Sequence, residues 1–486
     1  LDLERKPYAN LSFILALDSA YQKNEKITAH LLKPKAQPVQ KYLVLGNSAA
    51  TQLNVFPEPG QRPKRISSLF SLVNLTSTAM GRRFLQQALA SPLQEVQKIK
   101  QRYAWISTLL KKDFYLQVEN YLQGIVDLER LQRKIALKFI YPFELVQFFK
   151  SYEKILELFP LLAKNSRLKK LLPSEKRQKQ ARAFVSGAGK IFDFDELEKS
   201  SNLKDTTSPI FLPGVYPALD KVQEDINSNL EKLEELRGFL SNHLSAYKKV
   251  PFKDRVVLKR TVLEKEYYLY IPKGRGNALR KTLGKDSKTP KEKEREKKNP
   301  ERKAFLEKVE KGLAGLEATD LHFLVQGSGF KIVCTRTRKV SKNNRDLFSQ
   351  LGKVQQEAYE ETLENIQKKN KYMFPLLHSF LAYLDFLTTG ARVADKYSYA
   401  CPKVDSTPSF IRAVALRHPL IEHMLEDTEY IPHDIELGTC PKGKKAQSGI
   451  LLFGLNSTGK SSLMKALGLN LILAQSGYFV PASKFY

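Results

Sequence analysis

The sequence predicts a multidomain, mainly α-helical chain with a small β-containing module inserted between long helices and an α/β domain opening near its end. Three observations predict this. Long stretches carry apolar residues at three- and four-residue spacing, the signature of amphipathic helices. Four short β-branched or aromatic runs cluster between two of those stretches, as strands do. The apolar run Gly449–Phe453 leads directly into a glycine loop and another apolar helix, the opening unit of an α/β layer. At about 150 residues per domain, 486 residues make roughly three domains.

From about Asn10 to Lys204 the pattern is helical, as in Leu69-Phe70-Leu72-Val73, Phe84-Leu85-Ala88-Leu89 and Leu128-Leu131-Ile135. Pro92, Pro142 and Pro160 mark ends or turns. The run Tyr42–Leu45 before Gly46-Asn47 reads as a short strand. A turn at Phe211–Tyr216 precedes an amphipathic helix from about Pro217 to Tyr247. The period then changes, and Val256–Leu258, Tyr267–Ile271, Phe323–Val325 and Lys331–Cys334 read as strands. Between the second and third lies Lys273–Gly312, with fifteen Lys/Arg against seven Asp/Glu. It holds too few apolar residues to bury a core and reads as a mobile loop or partial helix. A second helical stretch runs from about Asn344 to Ala394, which puts the strand module at the tip of a helical hairpin. Ile411–Val414 and Gly449–Phe453 are strand-like, and a helix starts at Lys460. The implied boundaries are 1–216 helical, 217–345 strand-bearing, 346–400 returning helices and 401–486 the α/β opening.

Composition excludes several classes. Apolar residues are 42% and charged residues 27%, ordinary for a globular protein. No apolar run is long enough to cross a membrane as a helix. Cys334, Cys401 and Cys440 are too few for a disulfide scaffold, and no His/Cys cluster suggests structural zinc. The formal net charge of +29 calls for a polyanionic partner, most simply nucleic acid. The chain opens without an initiating Met or a signal-peptide segment and stops shortly after the glycine loop, so it reads as an excerpt of a longer protein.

Gly454-Leu455-Asn456-Ser457-Thr458-Gly459-Lys460-Ser461 fits the Walker A pattern G-x-x-x-x-G-K-[ST]. The glycines let backbone N–H groups turn inward around a phosphate, and the helix N-terminus adds a favourable dipole. Lys460 can place a charge on the β- and γ-phosphates, while the Ser461 hydroxyl can complete a Mg²⁺ shell, with Ser462 beside it. The strand before and the helix after supply the required context, so ATP and Mg²⁺ are the expected cofactors. The acid that hydrolysis also needs is expected beyond this chain, so no catalytic residue is assigned within it and the fragment alone should not turn over ATP.

With these residues in hand, the sequence resembles the MutS family of mismatch-repair ATPases. Ala474-Gln475-Ser476-Gly477-Tyr478-Phe479-Val480-Pro481-Ala482 is similar to the A-Q-x-G-x-F-V-P-A run that trails the family's nucleotide loop. Arg417-His418-Pro419 through Glu422 resembles its R-H-P-x-x-E element. Tyr430-Ile431 through Leu437 resembles the segment whose aromatic stacks on adenine, with His433 where the family carries Asn. Thr76–Leu85, Pro92-Leu93 and Arg102 look like the core pattern T-x-T-x-M-G-x-R-x-L…P-L…R. Asp127–Leu131 is similar to the D-L-E-R-L of the lever helices, and Phe211–Asp220 to the opening of the clamp. The loop keeps Asn456 but lacks the family's usual Met and first Gly, and so resembles the divergent branch of giant viruses and coral mitochondria.

The resemblance implies helical core and lever regions, a clamp inserted near 217–345, and the start of an ABC-type P-loop ATPase domain. It implies a dimer that closes around mismatched or damaged double-stranded DNA, couples ATP exchange to sliding and signals to a downstream repair factor, with no membrane association. Within the cell, cytoplasm, nucleus, mitochondrion and viral factory are not distinguished. Two other readings stay open: a DNA-structure-binding protein of recombination or genome maintenance without mismatch reading, and a non-hydrolysing clamp.

Other residues have plainer roles. Tyr430 is read as the adenine stacker, with Ile431 beside it, rather than a packed surface ring. His418 is read as a structural histidine, Asp127, Glu129 and Arg130 as inter-helix charges, and Trp105 as core. Lys281, Lys285, Lys288, Lys297 and Lys298 in the basic tract are candidate DNA contacts, non-specific and salt-dependent. The alternating run 291–298 also fits a merely solvated tract.

Overall fold

Short side-chain caps at Ser68, Thr78 and Asp127 set where three helices of the first half begin. In the computed structural model, which describes residues 7–23, 25–28, 31, 42–46, 48–58, 66–200, 202–203, 207–242, 255–260, 267–282, 321–406, 410–424, 430–438, 447–455 and 458–486, the helices of this half are α1 (Pro7–Lys23), α2 (Glu25–Thr28), α3 (Ala49–Gln52), α4 (Leu69–Val73), α5 (Ala79–Ala90), α6 (Val96–Leu110), α7 (Phe114–Leu122), α8 (Leu128–Ala136), α9 (Pro142–Ala163) and α10 (Glu175–Ala188). Ser68 and Thr78 accept from the backbone N–H groups of Ser71 and Gly81, and Asp127 accepts from that of Arg130. Each satisfies one of the orphan donors of a helix start. The strand expected at Tyr42–Leu45 is reduced to one bridge, Tyr42 with Leu93. A single bridge leaves the rest of the run without a ladder.

The chain divides into two units, Leu1–Ala188 with Leu363–Tyr486, and Gly189–Thr362. In the second, α11 (Phe194–Lys199) and α12 (Pro217–Asn242) precede β1 (Val257–Arg260), β2 (Tyr267–Pro272), α13 (Lys273–Thr282), β3 (His322–Gln326) and β4 (Gly329–Val333). All four expected strands form, as one antiparallel sheet in the order β1-β2-β4-β3. Leu269, Ile271, Phe330 and Ile332 bury one face of it with Leu236 and Leu240 of α12 and Leu279 of α13. The start of the basic tract is thus helical, and residues 283–320 lie outside the described residues.

The helical stretch expected from about Asn344 to Ala394 is two helices, and the first begins earlier. α14 (Thr335–Asn370) runs from the second unit into the first, and α15 (Met373–Tyr397) follows the break at 371–372. The earlier start is local: Thr337 Oγ1 accepts from the Cys334 N–H and donates to the Cys334 carbonyl. α15 is buried along most of its length, at Phe374, Leu377, Leu381, Leu384, Phe386, Leu387 and Ala391 among others. Such a helix is the centre of a core rather than its rim, and it packs on α5, α6 and α7.

Asp385 ties α15 to α5. Its carboxylate accepts from the N–H groups of Ser77 and Thr78 and from the Thr78 hydroxyl, the last at 2.7 Å. A Cβ on residue 81 would lie 2.1 Å from Asp385 Oδ2, so only glycine fits at Gly81. Burial pushes the Asp385 carboxyl above its ordinary value despite these hydrogen bonds. Beside it, Arg83 grips Asp127 at 2.7 and 2.9 Å and Glu129 at 2.6 and 2.9 Å, the inter-helix pairing expected of Asp127 and Glu129. Burial alone would raise the Asp127 carboxyl, but Arg83 and the Arg130 N–H hold it below its ordinary value.

The last segment holds β5 (Phe410–Leu416), β6 (His433–Gly438), α16 (Lys460–Ser476) and β7 (Lys484–Phe485), the strands forming an antiparallel sheet in the order β6-β5-β7. The expected strand at Gly449–Phe453 joins no ladder. One bridge, Gly438 with Gln447, attaches its approach to β6, after which Leu451 and Phe453 are 86% and 88% exposed. A strand needs a partner on at least one edge, and among the described residues none reaches this run. The α/β opening therefore stands here as an antiparallel sheet, a glycine loop and a helix.

Candidate functional site

The glycine loop closes around its own lysine. Gly454 (φ +151°) and Gly459 (φ +90°) turn the chain on either side, and Thr458 Oγ1 donates to the Leu455 carbonyl at 2.8 Å. Lys460, the first residue of α16, folds back so that Nζ donates to the carbonyls of Gly454, at 2.7 Å, and Leu455. It also reaches Thr458 Oγ1 at 3.4 Å. Gly454, Leu455, Thr458, Gly459 and Lys460 thus form one cluster, while Asn456 and Ser457 lie outside the described residues. Ser461 is exposed in the first turn and Ser462 is half-buried. Gly459 supplies no side-chain cap, and the first turn of α16 holds no acidic residue. Its leading N–H groups and dipole are open to an anion.

Tyr430 and Ile431 sit at the entry to β6. The Tyr430 ring meets His433 edge-on at 6.2 Å, and Ile431 is 74% exposed. Among the described residues no hydrogen bond, ion pair or ring contact joins either to the glycine loop. His418 is buried with Nδ1 accepting from the N–H groups of Leu420 and Ile421, each at 3.2 Å. Burial lowers it to about 4, so it is a neutral acceptor that organises a turn, the structural role read from sequence.

The other end of α16 is set by the run Ala474–Ala482, and four successive carbonyls each find a donor there. Gly477 N–H bonds the Ala474 carbonyl and Tyr478 N–H that of Leu473, the helix-ending Schellman arrangement with glycine in the left-handed conformation. The Tyr103 hydroxyl also donates to Ala474, the Leu93 N–H to Gln475, and Arg102 Nη1 to Ser476 at 2.6 Å. Tyr478, fully buried, donates its hydroxyl to the Phe386 carbonyl of α15 at 2.8 Å. Beyond it, Val480 bridges Ala400 and β7 joins the sheet. The family-like run is therefore the clamp that fixes the helix carrying the loop.

In the second unit a cleft of about 410 Å³ opens between β2, β3, β4 and α14. Lys331, Arg338, Lys342 and Arg345 line it beside Tyr267 and Tyr268, with no acidic side chain in the lining. Lys331 Nζ lies 5.0 Å over the Tyr268 ring. The three α14 cations fall at i, i+4 and i+7, one helix face. Sequence reasoning missed this stripe because it read α14 as starting at Asn344, although the spacing is legible once the start at Thr335 is known. Of the lysines singled out, Lys281 lies in α13 with its side chain outside the described residues, as are Lys285, Lys288, Lys297 and Lys298 entirely.

Among the described residues no group of His, Cys, Asp and Glu could hold a metal, and no helix is long and apolar enough to cross a membrane.

Comparison with known proteins adds to this geometry. Residues 48–391 match the family described as MutS domain III. The chain is 28% identical to a DNA mismatch repair protein mutS homolog of Acanthamoeba polyphaga mimivirus, covering 100% of this chain and 45% of that protein. It is 27% identical to the mitochondrial DNA mismatch repair protein mutS homolog of Sarcophyton glaucum, over 91% of this chain and 40% of that one. With the DNA mismatch repair protein MutS of Petrotoga mobilis it shares 24% identity over 94% and 48%. The chain thus spans less than half the length of these curated relatives.

Proposed function

The chain belongs to the MutS family of DNA mismatch repair proteins, and from that membership we propose that its protein is an ATP-driven DNA clamp. It holds ATP with Mg²⁺ at residues 454–462 and grips mismatched duplex DNA through the 189–362 unit. The observation that carries the reading is the folded glycine loop at the uncapped start of α16. Its lysine rests on the two carbonyls a phosphate would displace it from, and the helix dipole favours the arriving anion. Lys460 then serves the β- and γ-phosphates, and Ser461 the magnesium that neutralises them. Tyr430 serves the adenine face, Ile431 lying beside it. The protein works as a dimer and passes its signal to a downstream repair factor. In this reading the regions are core 1–216, clamp 217–345, returning lever 346–400 and ATPase opening 401–486.

The basic face of α14 and the adjoining sheet support phosphate contact, and the tract 273–312 adds charge of the same sign. Duplex binding should be salt-dependent, because each neutralised phosphate releases counterions. The test measures the full-length protein on matched and mismatched duplexes across salt, with and without Mg-ATP. Tighter binding of the mismatch, loosened by Mg-ATP, is expected. Arg338→Gln, Lys342→Gln and Arg345→Gln together should flatten the log–log salt slope by about one per lost contact. Equal affinity for both duplexes would remove mismatch reading, and an unchanged slope would remove this cleft as the DNA contact.

A further inference from the structure

Arg102 stands at an unusual place for a cation. It is 9% exposed, and among the described residues no ion pair includes it. Its guanidinium lies 4.9 Å from the Phe386 ring, 5.7 Å from Tyr383 and 5.9 Å from Phe84, while Nη1 donates to the Ser476 carbonyl at 2.6 Å. π faces and a helix C-terminus, which carries partial negative charge, together meet its charge. A Cβ on Gly477 would lie 2.4 Å from Arg102 Cδ, so the helix end is built to receive this side chain.

α16 has 17 residues, about 25 Å at a helical rise of 1.5 Å per residue. The glycine loop is at one end and Arg102 at the other. The helix is one rigid element between them, with its buried residues from Ala466 onward. Arg102 holds that end against two rings of α15, the central helix of the core.

We propose that Arg102 is the positioning residue that transmits nucleotide occupancy at the glycine loop to α15, by gripping the last carbonyl of α16 and stacking on Phe386 and Tyr383. This rests on the nucleotide reading above. It touches neither phosphate nor magnesium. Lysine keeps the charge but loses the planar stack on the rings, and glutamine loses both.

The experiment compares the full-length protein with its Arg102→Gln and Arg102→Lys variants. Binding of Mg-ATP is read with a fluorescent ribose-labelled ATP, and amide exchange is followed across 373–397 with and without Mg-ATP. Expected are affinities within about threefold of the unmodified protein, and at least a threefold loss of the nucleotide-dependent slowing of exchange in 373–397. If the glutamine variant does not fold, the lysine variant decides alone. Slowing that survives in the folded variants would overturn the role, leaving Arg102 as packing. A tenfold fall in affinity would overturn it too, since Arg102 would then support the loop's shape instead of reporting it. If the unmodified protein binds Mg-ATP with no slowing in 373–397, the Arg102 role fails and the nucleotide reading stands. If it binds no Mg-ATP, and Lys460→Ala is indistinguishable from it, both fail.

Discussion

The two ends of α16 are opposites. At its C-terminus four carbonyls in a row have named donors, Tyr478 is fully buried, and glycine is the only residue that fits at Gly477. At its N-terminus the loop and the run before it are exposed, no side chain caps the first turn, and Lys460 folds onto its own loop. The difference teaches where this chain is complete in itself and where it is shaped to meet something else. A helix end that leaves its N–H groups open on the surface keeps a site for an anion, whereas one that closes every carbonyl in a core is mechanical support.

Substitutions at the two ends should therefore separate function from stability. The largest effect is expected from Lys460→Ala, which should abolish ATP turnover by the full-length protein while leaving nucleotide-free duplex binding largely intact. Steady-state phosphate release and a gel shift check this, and unchanged turnover would remove Lys460 from the phosphate site. At the other end, Tyr478→Ala should cost about 3–5 kcal/mol of stability, since it empties a core site and removes the hydroxyl's hydrogen bond to the Phe386 carbonyl. Denaturant unfolding measures it, and a cost below about 1 kcal/mol would mean that this end is not the anchor. Gly477→Ala should cost about 1–2 kcal/mol from its left-handed backbone alone, more if Arg102 must shift. The smallest effect belongs to Phe453→Ser, expected within about 0.5 kcal/mol because the ring is in water. A large loss there would show that the run before the loop is packed in solution.

Acid should weaken the core through two buried histidines rather than through the loop. His378 is held neutral, down to about 3, by burial, with Nε2 against the Tyr152 hydroxyl at 3.0 Å, and His418 is lowered to about 4. Both lie below the ordinary value of 6.5, so the unfolded chain binds more protons between the folded and unfolded values. Their contribution is complete above about pH 6.5 and is lost as pH falls toward 4, at up to roughly 1.4 kcal/mol per pH unit for each. Chemical denaturation at pH 7.5, 6.0 and 5.0 measures this. His378→Gln should reduce the slope by about half, and a slope independent of both histidines would contradict their buried neutral state.

Much of the helical half was legible because its signals are local. Thr78 and Asp127 cap helices by bonding residues three positions on, and the four strands of the second unit announce themselves by composition. The turn of the glycine loop was legible for the same reason, since Gly454, Gly459 and Lys460 are neighbours in sequence. The strand expected at Gly449–Phe453 was not, because apolar character states only that a run should be covered, and its cover is a matter of what pairs with it.

The sequence by itself determined most of the helices of the first half, the four strands of the second unit, the glycine loop before Lys460 and the excess of positive charge, because caps, turns and periodicity act within a few residues. Only the tertiary structure decided that Gly81 exists for Asp385, 304 positions later, that the Ala474–Ala482 run is an anchor, and that Arg102 closes the far end of α16, 374 positions from its acceptor. Those contacts satisfy buried polar groups, and which distant donor meets which acceptor is set by packing the whole core at once.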